Sequence, residues 1–231
     1  MASEKAGNGP SKEARGQDIK LAVDEAVHPT LVGANSFGPG TMLMTRDGEV
    51  PVEWLETGDA LLTRDGGYAT ILEITRNRLS GPYLRRRPEM APVCIAAGSL
   101  ANGLPAYDIL VAPNQLLLYR SPRASLHFWS IDVLIPAQAL ASLQASPAKT
   151  PPHDLTLTQL RLPSHELLMS EGIWLGSLLE PAQKDDHGDT VARAMQAARP
   201  ILSMEEARLL LEADTGATGI AGFDARRMSA S

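Results

Sequence analysis

Few side chains in this 231-residue chain can make or break bonds, and their spacing excludes most site chemistries. The single cysteine, Cys94, lies in the apolar run Pro92-Val93-Cys94-Ile95-Ala96. It cannot form an internal disulfide or build a thiolate metal site alone, and it reads as an inert core residue. His28, His127, His153 and His187 are scattered without ligand spacing, so no metal and no cofactor is expected. The run Lys184-Asp185-Asp186-His187-Gly188-Asp189 has oxygen ligands but lacks the length and closing glutamate of a calcium loop. Arg85-Arg86-Arg87 before Pro88 reads as an exposed charge run. Trp54, Trp129 and Trp174 are spread along the chain, as core or half-buried anchors are, and form no stacking platform. One dipeptide is labile in itself: Asn35 before Ser36 can deamidate.

The elements that would position such groups are short strands. Turn dipeptides recur at Asp47-Gly48, Asp65-Gly66, Asn102-Gly103 and Ser80-Gly81-Pro82. Between them, strands are expected over Val50–Leu55, Ala60–Thr63, Tyr68–Arg76, Val93–Ala96, Ile109–Val111, Gln115–Tyr119 and Ile131–Ile135. Leu155–Leu162 begins in alternation, which predicts one core face and one wet face, and His165–Met169 follows. Thr-Arg-Asp-Gly occurs at 45–48 and again at 63–66, predicting two similar hairpin turns. Many strands without long intervening helices give an all-β domain of short hairpins and exclude a doubly wound α/β fold.

Towards the C-terminus the pattern turns helical. Val191, Ala194, Met195 and Ala198 follow helical spacing, with Thr190 as N-cap and Pro200 as the stop. A second helix starts at Ser203, which forms a capping-box pattern with Glu206, and Met204, Ala207, Leu210 and Leu211 share its apolar face. The expected organisation is a flexible arm over 1–33, a β domain over 34–181, a helical extension over 182–213 and a disordered tail over 214–231. Hydrophobic residues make up 44%, enough for a core, and 21 basic against 27 acidic residues leave a net charge of −6. That balance argues against nucleic acid as a partner. No apolar run approaches the roughly 18 residues of a membrane span. Met1–Lys20 is polar and lacks a secretory stretch, so cytoplasmic residence is the expectation, with non-classical export open.

One ordered series of motifs carries more. Ser36-Phe37-Gly38-Pro39-Gly40-Thr41 is followed by Thr45-Arg46-Asp47-Gly48-Glu49-Val50-Pro51-Val52-Glu53-Trp54-Leu55 and Gly58-Asp59. Then come Pro92-Val93, Ala97-Gly98-Ser99-Leu100, Leu104-Pro105, Asp108, Val111-Ala112-Pro113-Asn114-Gln115 and Val133-Leu134-Ile135-Pro136-Ala137. His165-Glu166 precedes Glu171-Gly172. Over about residues 34–181 this series resembles the bacterial form of the Hint (hedgehog/intein) domain. Ala198-Arg199-Pro200 with Glu206-Ala207 resembles the tail that often follows it.

The resemblance implies an all-β, horseshoe-like fold whose ancestral activity is self-processing of the peptide bond before its first residue. Ser36 occupies the nucleophile position, usually a cysteine, so the bond concerned is Asn35–Ser36. Such chemistry exchanges an amide for an ester or thioester, and the departing nitrogen needs a proton. The family supplies it from a Thr/Ser-x-x-His box, which falls here on Ala112-Pro113-Asn114-Gln115. Gln115 can donate a hydrogen bond but cannot shuttle a proton, and Ala112 has no hydroxyl. Losing a positioned acid costs about 10²–10⁴ in rate. Asp108 is the family-like acid, read either as a site group or as a turn cap before Ile109. His165 is read either as a substitute base or as a structural histidine. The His-Asn pair of full splicing is missing, since His165 precedes Glu166. Two functions follow as expectations. The first is a degenerate scaffold, a pseudoenzyme serving as a binding or structural module for an unknown protein partner. The second is slow serine-dependent autoprocessing at Asn35–Ser36.

Overall fold

The computed structural model describes residues 21–22, 35–141, 154–180, 183–184, 190–192 and 195–218. Leu21–Ala22, within the expected arm, form strand β1; the rest of 1–33 lies outside the described residues. Two copies of Thr-Arg-Asp-Gly then fold the chain back on itself. Strands β2 (Met42–Thr45) and β3 (Gly48–Pro51) pair with Thr45 opposite Gly48. The Thr45 hydroxyl donates to the Gly48 carbonyl at 2.7 Å and accepts from the Asp47 amide at 3.1 Å. Strands β4 (Ala60–Thr63) and β5 (Gly67–Thr70) pair with Thr63 opposite Gly67, a loop one residue longer. There the Thr63 hydroxyl donates to Gly67 O at 3.3 Å and accepts from Gly66 N at 3.2 Å. Gly48 and Gly67 sit at φ 119° and 78°, backbone that a side chain would strain.

The remaining strands are β6 (Glu73–Leu79), β7 (Val93–Ile95), β8 (Ile109–Val111), β9 (Leu116–Arg120), β10 (Asp132–Pro136), β11 (Leu155–Arg161), β12 (Leu167–Ser170), β13 (Ile173–Gly176), β14 (Gln183–Lys184) and β15 (Thr190–Ala192). The largest sheet runs β10-β9-β13-β12-β4-β2-β3, with β5 on β4; β1-β6-β11, β7-β8 and β14-β15 pair separately. Phe37 ties two of these together, bridging Val111 at the end of β8 and Thr158 in β11. Its ring is fully buried in the main core beside Leu43, Val111 and Leu160. The first residues of the motif series are thus sewn between two strands instead of hanging at the domain edge.

Several expectations are corrected. Val50–Leu55 stays extended only to Pro51 and then forms a 3-10 turn over Val52–Trp54. Tyr68–Arg76 is two strands, β5 and β6. The Ser80-Gly81-Pro82 turn is the start of a helix, Gly81–Arg86, with the Ser80 hydroxyl capping Tyr83 N at 3.2 Å. The wet face of β11 is partly closed: Thr158 is buried because Phe37 pairs with it, while Gln159, on the core face with Leu155 and Leu157, is buried against Ser36. Trp54 and Trp129 are 75% and 96% exposed, and Trp174 alone of the three tryptophans is a buried anchor.

Among the described residues of 191–198 the expected helix does not form. Thr190–Ala192 is strand β15 against β14, and residues 195–197 are irregular. Mostly small apolar residues at helical spacing had too little area to hold a helix when a strand partner was near. The second helix forms as its cap predicted: Ser203 N donates to Glu206 at 2.8 Å, and Glu206 N to the Ser203 hydroxyl at 3.3 Å. It extends over Met204–Thr218, so residues 214–218 of the expected tail are helical; those beyond lie outside the described residues. Ala207, Leu210 and Leu211 join the main core. No described helix is long and apolar enough to cross a membrane.

Candidate functional site

The turn between β8 and β9 grips both residues of the Asn35–Ser36 bond. Ala112 N donates to Ser36 O at 3.0 Å, and Leu116 N donates to Asn35 Oδ1 at 2.9 Å. Downstream, Phe37 and Thr158 exchange two backbone bonds of 2.8 Å, and Gly38 N reaches Leu110 O at 2.7 Å. A Cβ on Gly38 would fall 2.6 Å from that carbonyl, so only glycine permits the approach.

Ser36 is 0% exposed, and its Oγ accepts from Gln159 Nε2 at 3.1 Å. Gln159 went unnoticed in the sequence although it left a signal. In Leu155, Leu157, Gln159 a polar side chain takes the inward slot of an alternating strand, which demands a buried partner. Gln115, also 0% exposed, donates its Nε2 to Gly176 O at 2.7 Å and to Leu116 O at 3.2 Å, while its buried Oε1 has no hydrogen-bond partner.

His165 meets Asn35, the residue before Ser36. Asn35 Nδ2 donates to Ser177 O at 2.5 Å and lies 3.4 Å from His165 Nε2. The other ring nitrogen, Nδ1, accepts from Ala198 N at 3.2 Å. Burial pulls the imidazole pKa down from 6.5 to about 4, so the ring is neutral at pH 7. Gly176 makes room for this packing: a Cβ there would sit 2.8 Å from His165 Nε2 and 2.9 Å from Asn35 Nδ2. Asp108 is not drawn into the cluster. Its exposed carboxylate accepts from Ala97 N at 2.8 Å, the work of a turn cap. Cys94 is half-buried in β7, and burial, reinforced by the charge of Asp108, raises its thiol pKa. Among the described residues no group of three His, Cys, Asp or Glu could hold a metal ion.

The structure thus gathers Ser36, Gln115 and His165 around one peptide bond and adds Asn35, Gln159, Gly176, Ser177 and Ala198. Chemically this is a dry cluster of amides, one hydroxyl and one neutral imidazole. It can orient and hold the bond, but among its side chains only the ring can exchange a proton near neutral pH.

Three solved structures are similar in part, each matched over 62% of this chain. They are the AceL NrdHF class 3 split intein in a GSH-linked, splice-inactive variant (12% identity, TM-score 0.37, 97% of that chain covered); a bacterial intein-like domain from Clostridium thermocellum (10%, 0.39, 97%); and the gp41-1 intein (12%, 0.37, 98%). No curated protein matches the chain. The family model described as "Hint domain" matches residues 35–182, beginning at Asn35 and including every residue of the cluster except Ala198, and the chain belongs to that family, which is related to the self-processing inteins.

Proposed function

We propose that this Hint domain is degenerate in catalysis and serves as a binding or structural module. The observation that carries the reading is Gln115. At the position where the family places its proton-donating histidine stands a buried amide whose N–H groups are spent on Gly176 O and Leu116 O. An amide has no titratable proton to give the departing nitrogen, and a serine hydroxyl is a far weaker nucleophile than a thiol. The binding half of the reading is supported by an apolar cavity of about 530 Å³. It lies between the helix Ser125–Phe128 and the C-terminal helix, lined by Leu126, Phe128, Leu209 and Leu210.

Intact mass under denaturing conditions, after days near neutral pH with and without hydroxylamine, tests this. The expected result is an unchanged full-length mass, with Ser36→Ala folding as the parent does. Ser36→Cys combined with Gln115→His and Ala112→Thr is expected to cleave at the junction.

The second reading is serine-dependent autoprocessing by an N-to-O acyl shift at Asn35–Ser36. It is favoured by the burial of Ser36 Oγ and the fixed donor from Gln159 that orients it. A fragment beginning at Ser36, lost in Ser36→Ala and produced faster with hydroxylamine, would establish it in place of the first.

A further inference from the structure

A neutral imidazole has one N–H and one lone pair, yet both nitrogens of His165 face N–H donors. Ala198 N is a backbone amide and can only donate, so its 3.2 Å contact requires the lone pair on Nδ1. The Asn35 amide cannot turn over to help. Its Oδ1 is fixed by Leu116 N and its Nδ2 by Ser177 O, so it also presents N–H to the ring, at 3.4 Å from Nε2. One acceptor cannot serve two donors. The shorter contact, made by a backbone amide in good geometry, takes the lone pair, and the proton is left on Nε2, facing Asn35 without a bond.

The segment that supplies Ala198 is a strap from Met195 to Leu202. Met195 N donates to Glu180 O at 2.9 Å, and Leu134 in β10 pairs with Pro200 O and Leu202 N at 2.8 and 2.9 Å. Arg199 donates to Asp65 Oδ1 at 2.7 Å, in the second Thr-Arg-Asp-Gly turn, and to its own neighbour's carbonyl, Ala198 O, at 2.6 Å. That ion pair is partly exposed and is the fastening nearest to Ala198.

We propose that the strap is a tautomer lock. With Ala198 seated, His165 carries its proton on Nε2 and offers no lone pair to the Asn35–Ser36 junction. With the strap lifted, the proton moves to Nδ1, and the Nε2 lone pair accepts the hydrogen bond that the Asn35 amide offers. Ala198 is a positioning residue that acts through His165, and Arg199 with Asp65 keeps it seated. The device couples the C-terminal extension to the one titratable ring in the site, whether or not the bond is ever cut.

The test is nitrogen-15 NMR of the His165 ring in the full chain at neutral pH, where protonated and unprotonated ring nitrogens resonate far apart. Wild type is expected to show Nε2 protonated and Nδ1 bare. Ala198→Pro removes the donor and should invert the pattern; Arg199→Ala should shift the population part of the way. Asn35→Ala, which removes the competing donor together with the bonds to Leu116 N and Ser177 O but keeps the Ala198 donor, should leave the wild-type pattern. A wild-type ring protonated on Nδ1 would overturn the proposal, as would a folded Ala198→Pro that keeps Nε2–H. Should the proline variant not fold, an unmoved tautomer in Arg199→Ala overturns it equally. The tautomer is read without reference to cleavage, so an uncut chain does not touch the inference.

Discussion

Two polar clusters in this molecule, one partly buried and one fully, differ in kind. At the β9–β10 edge, Asp132 accepts from Arg120 Nε and Nη2 at 2.7 and 3.1 Å and from Arg64 Nη2 at 2.9 Å. Burial alone would raise its carboxyl pKa, but the hydrogen bonds and charge of the two arginines outweigh that and hold it below the usual carboxylate range. At the Asn35–Ser36 junction every member is neutral. Charge attraction is broad in angle and forgives small errors of placement. A neutral cluster is held only by matching each donor to an acceptor, and one unmatched buried group such as Gln115 Oε1 costs about 1–3 kcal/mol. The difference teaches that the junction is organised to fix a bond in place, while the arginine cluster staples strands.

Removing one charge should therefore do the most damage. Asp132→Ala leaves Arg64 and Arg120 facing each other across a partly buried site. It is expected to cost about 3 kcal/mol in a denaturant titration, since breaking such a pair from one side strands the remaining charge. A loss within a few tenths of a kcal/mol would mean that the cluster is merely surface decoration.

Acid separates the two clusters next. The His165 pKa is about 4 folded against 6.5 for a free imidazole, so the unfolded chain binds the proton more readily. Stability is fully present above about pH 6.5 and falls as pH drops from there to about 4, by about 3 kcal/mol at most. The Asp132 contribution has the depressed-carboxylate sign: it persists through that window and is lost only as pH falls below the ordinary value of 3.8. Melting temperature against pH should thus show two descents. His165→Gln should abolish the upper one and leave the lower.

The smallest of the three effects is steric. Gly176→Ala pushes a methyl group into the imidazole and the Asn35 amide and is expected to cost about 2 kcal/mol. Its diagnostic is spatial. Chemical-shift changes should centre on Asn35, His165 and Gln115 and leave the arginine cluster untouched.

How far the sequence could be read follows from which signals were local. The hairpins were legible because each carries its own turn chemistry, and the C-terminal helix because Ser203 and Glu206 cap it within three residues. What could not be read depends on distant neighbours. Val191, Ala194, Met195 and Ala198 kept helical spacing, yet Thr190–Ala192 pairs with β14 and the Ala198 amide is committed to a ring 33 residues away. Ser36 and Gln115 stood out through the order of the motifs around them. The partners that decide their chemistry, Gln159 at 123 residues from Ser36 and Gly176 at 61 from Gln115, are joined only by the fold.

The sewing of Phe37 between β8 and β11 has a practical consequence. Were the bond ahead of Ser36 broken, the new amino terminus would stay threaded through Ala112, Thr158 and Leu110. The new carboxyl terminus would keep the Asn35 side chain on Leu116 and Ser177, with a second foothold where β1 lies along β6. The two pieces would travel as one non-covalent complex through any native column, with the same radius and much the same spectrum. A nick in this chain is silent until the protein is denatured.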